Sequence, residues 1–182
     1  MCNHPICNHY TNIKGVGSIL VMPYSYRGLK VNHALLFGKE CAGNYANQYN
    51  VFGGKVDKSD RGCLIVAIIR ELCQEAKLNQ IGINITDLTI FNRMFCDRNG
   101  LRYFIMSHTM IFVGILPPGT SRSTINNQIK IANSNPRLPY CEKEMLSVEW
   151  VNAATSKQIE KKSISISKYA LDAIKLFNKI YV

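Results

Sequence analysis

The segment that decides the fold is GGKVDKSDRGCLIVAIIRELCQEAKL, residues 53–78. It begins with paired glycines directly after a short apolar run, YNVF, and passes through a charged loop into an amphipathic stretch. Apolar residues recur there at the spacing of one helix face, and an arginine and two glutamates fall towards the other side. The sequence predicts a short strand that ends at the glycines, then a loop, and then a helix over residues 62–77.

The two glutamates of this helix, Glu71 and Glu75, are four residues apart. Side chains at that spacing project from the same helix face, where two carboxylates repel each other unless a cation joins them. Gly53 and Gly54 allow close approach of the backbone and can lend a carbonyl oxygen to the same cation. Taken alone, such a glutamate pair is more often a solvated helix face.

The whole segment resembles the Nudix box, G-x5-E-x7-R-E-U-x-E-E-x-G-U, in which U is a bulky apolar residue. The matching residue types are Gly54, Arg70, Glu71, Leu72, Glu75 and Leu78. The resemblance implies an α/β protein, specifically an α/β/α sandwich with a mixed β-sheet. We expect one such domain over residues 15–182, preceded by a flexible segment over residues 1–14. The family hydrolyses nucleoside diphosphates linked to another moiety.

The resemblance also implies a metal site for Mg²⁺ or Mn²⁺. Glu71 and Glu75 are the implied ligands and catalytic carboxylates, and Gly54 is implied to contribute its carbonyl. A third carboxylate, acting as ligand or general base, is expected from the segment CEKEMLSVEWV. Glu144 is preferred over Glu142 there, and a solvated loop of alternating charges is the competing interpretation.

The segment departs from the motif in four places. The interval from Gly54 to Arg70 is two residues longer. Asp60 stands where the motif has its first glutamate, and we expect it to form a structural ion pair with Arg70. Gln74 replaces one acid of the Glu-Glu pair, and Lys77 replaces the glycine near the end of the helix.

Bulk composition favours an anionic ligand. The chain has 182 residues, of which 47% are hydrophobic and 19% charged, and its net charge is +10. A basic surface attracts phosphate-rich partners. Arg27, Lys55 and Arg102 are the candidate phosphate contacts, and tyrosines such as Tyr45 could stack on a base, although packing is the commoner role of aromatic residues in sheet proteins.

The compartment is predicted from what the sequence lacks. No apolar run is long enough to cross a bilayer, and the N-terminus has no signal-peptide pattern. Seven scattered cysteines, an odd number, favour reduced thiols over a disulfide framework. We therefore expect a cytoplasmic protein without a membrane partner. The resemblance to Nudix proteins, which are often dimers, leaves a homodimer open.

The remaining elements are predicted from periodicity and turn residues. Asp97 to Gly100 is expected to form a hairpin turn, and residues 117–139, rich in Pro, Ser and Asn, are expected to be an irregular loop. Strands are expected at residues 15–24, 30–40 and 145–153, and a closing helix at residues 164–182.

Three functions remain open at this point. The first is a metal-dependent pyrophosphohydrolase acting on a nucleotide-derived small molecule. The second is hydrolysis of the 5′ cap of RNA, since residues 167–177 resemble the closing helix of viral mRNA-decapping Nudix enzymes. The third is a nucleotide- or RNA-binding Nudix domain without turnover, motivated by Gln74 and the longer loop.

Overall fold

The computed structural model describes residues 10, 12–23, 33–85, 102–117, 119–152 and 165–181. Within this part of the chain lie seven strands and three α-helices. The strands are β1 (Gly15–Pro23), β2 (His33–Glu40), β3 (Tyr49–Asn50), β4 (Phe52–Lys55), β5 (Tyr103–Met106), β6 (Thr109–Ile115) and β7 (Met145–Asn152). The helices are α1 (Leu64–Gln74), α2 (Arg122–Ser134) and α3 (Lys168–Tyr181).

All seven strands belong to one mixed sheet. Its main path runs β3-β2-β1-β6-β5, and β7 pairs with β2. Only β1 and β6 run parallel among the described pairs; the others are antiparallel. One edge of β1 is divided between two partners, with β4 opposite residues 15–18 and β2 opposite residues 20–23. The glycines of β4 therefore lie opposite Val16 and Gly17, close to the point where the partner of β1 changes from β4 to β2.

Alternation along β1 divides the core into two layers, because successive strand residues point to opposite faces. Val16 and Leu20 face a cluster that includes Ile68 of α1 and Ile129 of α2. Ile19 and Val21 face a second cluster built with α3, whose buried residues are Ala170, Ala173, Ile174 and Phe177. Helices thus cover both faces of the sheet, and the predicted α/β/α sandwich with a mixed sheet is confirmed.

The predicted irregular loop at residues 117–139 is wrong over most of its length, because α2 occupies Arg122–Ser134. Ile125, Ile129 and Ala132 are its buried residues and recur at helical spacing. The surrounding Ser and Asn residues have weak helix propensity, so the helix was not predicted from the sequence. Asn126 stabilises α2 against β7. Its amide donates to the Val148 carbonyl, and its Oδ1 accepts from the Val148 N–H at 2.6 Å.

Two further predictions need comment. The turn predicted at Asp97–Gly100 lies outside the described residues, whereas β5 and β6 are joined by Ser107 and His108. Cys63 is disulfide-bonded, so the prediction of reduced thiols is wrong at that position. The described free thiols are Cys41, Cys73 and Cys141.

Among the described residues, no helix has the length and apolar character needed to span a bilayer.

Candidate active site

An ion pair between Arg70 and Asp60 fixes the loop that precedes α1. Arg70 donates from Nε to Asp60 Oδ1 at 3.0 Å and from Nη2 to Asp60 Oδ2 at 2.9 Å. Asp60 is 2% exposed and also accepts the Asp57 N–H. Burial acts to raise the pKa of Asp60, but the hydrogen bonds from Arg70 and Asp57 outweigh burial and lower it. Asp60 is therefore a charged anchor in the folded protein.

The two additional residues of the box are accommodated between Asp60 and the helix. Arg61 and Gly62 both adopt left-handed backbone angles, with φ values of 51° and 71°. Helix α1 then begins at Leu64 with Cys63 as its N-cap. The predicted helix start at residue 62 is two residues early, because the left-handed pair reverses the chain before the helix can begin.

Glu75 is the most enclosed carboxylate of the site. It follows the last residue of α1 and is 3% exposed. Its Oε2 accepts the Gly53 N–H at 2.7 Å, which joins the helix end to β4. Burial, and then the neighbouring charge of Glu71, raise the pKa of Glu75 well above its usual range. An ionised Glu75 therefore needs a compensating cation.

Glu71 lies against the other glycine of β4. A Cβ atom at Gly54 would be 2.5 Å from Glu71 Oε1, so only glycine leaves room for this carboxylate. Glu71 Oε1 accepts from Arg70 Nη1 at 2.7 Å. Burial raises the pKa of Glu71 despite this arginine. Gln74 turns away towards Arg70 and the Cys141 sulfur.

Two more carboxylates face Glu75 across a cavity of about 250 Å³. One is Glu144, from the segment that sequence analysis singled out, and the other is Glu40, at the end of β2. Gly53 also lines this cavity, which is called the carboxylate cavity below. Gly54 is not among its lining residues, and Glu142 is instead paired with Lys77.

Sequence analysis missed Glu40. Burial raises the pKa of Glu40 more than the Asn50 hydrogen bond lowers it, and burial together with Glu40 raises the pKa of Glu144. Glu40 Oε1 accepts from Asn50 Nδ2 at 2.7 Å, and Asn50 Oδ1 accepts from the Ser167 hydroxyl at 2.8 Å. An acid at the end of the strand predicted over residues 30–40 was the signal available in the sequence.

These carboxylates have the chemistry that Mg²⁺ and Mn²⁺ prefer, namely several hard oxygen ligands with unrelieved negative charge. As the side chains stand, no three His, Cys, Asp or Glu residues in the described part of the chain form a group that could hold a metal ion. The ligand type fits, and the shell would be completed by movement of side chains towards the ion.

A second cavity has a volume of about 330 Å³. It is called the tyrosine cavity below, after Tyr45 and Tyr169 in its wall. Gly53 and Gly54 form part of it, and Lys14 and Lys55 are exposed at its border. The Tyr169 hydroxyl is buried beside Thr109 and makes no hydrogen bond of normal geometry with any residue that the structure describes.

The predicted phosphate contacts are dispersed. Lys55 lines the tyrosine cavity, and its carbonyl accepts from Arg70 Nη2 at 3.0 Å. Arg102 precedes β5 and lines neither cavity in the part of the chain that the structure describes. Arg27 lies outside the described residues.

Comparison with known proteins identifies the fold. The chain has the Nudix fold. It aligns with the Nudix domain of Shewanella oneidensis NrtR, solved with ADP ribose, at 11% identity and a TM-score of 0.52, over 99% of this chain and 95% of that one. It also aligns with a MutT/Nudix family protein from Enterococcus faecalis at 15% identity and a TM-score of 0.50, over 94% of this chain and 63% of that one. No family model and no curated protein sequence matches the chain.

Proposed function

We propose that the protein is a divalent-metal-dependent pyrophosphohydrolase that cleaves the P–O–P bond of a nucleoside diphosphate derivative. The observation that carries this proposal is that the two cavities share the backbone of Gly53. A diphosphate lying over Gly53 and Gly54 would have an acidic, cation-demanding cavity on one side. On its other side would be an aromatic cavity with lysines at its border.

The chain's own residues divide the work. Glu75, Glu71 and Glu144 would hold Mg²⁺ or Mn²⁺, with Glu40 beside them. The bound ion would neutralise diphosphate charge and lower the pKa of a water molecule. Glu144 is partly exposed and has a raised pKa, so it is suited to accept a proton from the attacking water.

The tyrosine cavity would hold the nucleoside. Its volume falls at the lower end of the range for small-molecule sites, at roughly 300–1,000 Å³. Lys14 and Lys55 would attract the diphosphate as mobile point charges. Tyr45 and Tyr169 supply aromatic surface for a base or ribose. ADP-ribose is the first substrate to test because the aligned NrtR domain was solved with it.

The test is hydrolysis of ADP-ribose to AMP and ribose 5-phosphate, followed by mass spectrometry with Mg²⁺, Mn²⁺ or chelator. Glu75→Gln removes the most enclosed carboxylate with little change in shape. The matched control Glu149→Gln removes a carboxylate of β7 that is paired with Arg122 of α2. The proposal predicts metal-dependent product that falls at least 100-fold in Glu75→Gln and is retained in the control. Equal product from both variants would refute it.

Other substrates belong in the same experiment. NADH, dinucleoside polyphosphates, nucleoside triphosphates and capped RNA should be compared at equal concentration. Metal- and Glu75-dependent release of the cap alone would move the substrate to RNA while leaving the reaction class unchanged. Residues 168–177 of α3 supply four side chains to the core, so their apolar character already has a packing explanation.

A second candidate is a nucleotide-binding domain without turnover. It is favoured by the engagement of Glu71 with Arg70 and by Gln74, which contributes no charge to the site. This function predicts that ADP-ribose binds equally well with chelator and with Mn²⁺, with no product from any substrate. Isothermal titration calorimetry beside the hydrolysis assay separates the two candidates.

A further inference from the structure

Lys77 occupies an unusual place for a charged residue. It stands where the Nudix box has glycine, with a left-handed backbone φ of 53°. Its side chain is among the largest that are fully buried, and the residue is only 1% exposed. A left-handed backbone is unfavourable for a residue with a side chain, and a buried ammonium needs partners. Both features indicate that the lysine is held for its contacts.

Within the part of the chain that the structure describes, the hydrogen bonds of the Lys77 side chain are with one residue far along the chain. Lys77 Nζ lies 2.6 Å from Glu142 Oε2 and donates to the Glu142 carbonyl at 2.8 Å. The carboxylate of Glu142 is 27% exposed, so the pair is enclosed mainly on the lysine side. The end of the box is thereby joined to the 3₁₀ turn Tyr140–Glu142.

This turn carries part of the carboxylate cavity. Tyr140 and Glu144 both line that cavity, two residues before and two residues after Glu142. The far end of the segment is attached to β2, since the Cys41 N–H donates to the Glu144 carbonyl at 2.8 Å. Segment 140–144 is thus attached at Lys77 on one side and at Cys41 on the other.

We propose that the Lys77–Glu142 pair is a positioning device that keeps Glu144 at the carboxylate cavity and thereby sets the affinity of the site for a divalent cation. The proposal rests on the proposed function for the metal itself. A glycine at position 77 would relieve the backbone and would make no contact with Glu142. Lys77 is a positioning residue, because it acts through the segment and does not touch the ion.

The first measurement needs no metal. Hydrogen exchange is followed at the amides of Cys41, Glu142 and Lys143 in the metal-free protein. The variants are Lys77→Gly, Glu142→Ala and the double variant, with Glu149→Ala as the control that breaks an ion pair elsewhere. Lys77→Gly keeps a backbone suited to φ above zero, so it should fold. The proposal predicts exchange at least tenfold faster in the three variants than in the control.

The second measurement is Mn²⁺ binding, followed by electron paramagnetic resonance of the free ion. Each single variant should bind Mn²⁺ about tenfold more weakly, and the double variant should bind no more weakly than the worse single variant. Such non-additivity is expected when two residues act as one unit. A purely structural pair would lower the melting temperature and leave Mn²⁺ affinity unchanged, and that result would overturn the proposal.

The two proposals fail in distinguishable ways. If the wild-type protein binds no Mn²⁺, the metal-dependent function is wrong and so is the influence of the pair on metal affinity. The exchange rates then still decide whether the pair holds segment 140–144. If Mn²⁺ binds and exchange is unchanged in Lys77→Gly, the function stands and the positioning device does not exist.

Discussion

The paired glycines of β4 provide a comparison in which two adjacent Gly→Ala changes should have different consequences, one for stability and the other for activity. At Gly53 the backbone φ is 148°, and an added Cβ would be 2.2 Å from the Val16 carbonyl oxygen and 2.6 Å from the Gly17 Cα. Both atoms belong to β1, which is paired with β4 and cannot move alone. Gly53→Ala should therefore lower the stability of the folded protein.

At Gly54 the added Cβ would meet a side chain. It would be 2.5 Å from Glu71 Oε1 and 3.0 Å from Glu71 Cδ. The carboxylate can turn away, but it then loses its 2.7 Å bond to Arg70 Nη1 and its place beside the glycines. Gly54→Ala should therefore displace the Glu71 carboxylate and lower activity.

The magnitudes follow from these contacts. For Gly53→Ala, backbone strain of about 1–3 kcal/mol adds to overpacking of about 1–3 kcal/mol, so we expect a loss of about 4 kcal/mol in the free energy of unfolding. In a domain of this size that lowers the melting temperature by roughly 8–16 °C. Gly54→Ala should cost about 1 kcal/mol in stability, whereas displacement of a catalytic group by about 1 Å lowers kcat/KM by about 100-fold.

The assay is thermal unfolding of both variants together with kcat/KM on the substrate that the hydrolysis panel identifies. Activity is measured at a temperature at which each variant is folded. A Gly53→Ala protein as stable as the wild type would contradict the backbone argument. A Gly54→Ala protein with full kcat/KM would show that the contact between Gly54 and Glu71 has no part in the reaction.

Three further predictions concern charge and hydrogen bonds. The pKa of Glu75 is raised in the folded protein, so the metal-free wild type should lose stability as pH rises above about 4.5, the ordinary pKa of the group. In denaturation curves, Glu75→Gln should reduce this loss. If the free energy of unfolding of Glu75→Gln falls as steeply as that of the wild type between pH 5 and 8, the pKa of Glu75 is not raised. The pKa of Asp60 is lowered, so its contribution is present above about 3.8 and is lost as pH falls through the folded value. Asp60→Asn should therefore cost about 2 kcal/mol at pH 7 in urea unfolding, and a neutral effect there would refute the anchor role. Asn126→Ala removes two hydrogen bonds to Val148 on β7 and should cost about 2 kcal/mol, against which Asn127→Ala on the exposed side of α2 is the control.

The fold was predictable because its signals are local. The strand patterns of β1, β2 and β7 and the apolar periodicity of α1 and α3 were sufficient for a mixed sheet with helices packed on it. The α/β/α sandwich was implied by the resemblance of residues 53–78 to the Nudix box. Helix α2 was missed because its stabilisation is tertiary, with Asn126 bonded to β7 and Ile125 buried against the sheet. Propensity cannot reveal a helix whose polar residues are helpful only in the presence of a neighbouring strand.

The sequence indicated most of the site residues within the box, and outside it only Glu144 among the acids that line the carboxylate cavity. Glu71, Glu75, Arg70 and Asp60 follow one another along the chain, so their spacing already restricts their geometry. Glu40 enters from a different strand, and its distance from Glu75 depends on how β2 and β4 share one edge of β1. The partner of Lys77 is 65 residues away, which no local pattern encodes.

The departures from the motif make better physical sense together than separately. With Gln74 at the position of one motif acid, Arg70 gains a neutral partner in addition to the carboxylates of Asp57, Asp60 and Glu71. The charge missing from the helix has a counterpart in Glu40, which faces Glu75 from β2. The carboxylate cavity thus takes one of its acids, Glu40, from a strand, whereas the helix position Gln74 supplies none. The acidity of the cavity then depends on sheet packing as much as on the helix that names the motif.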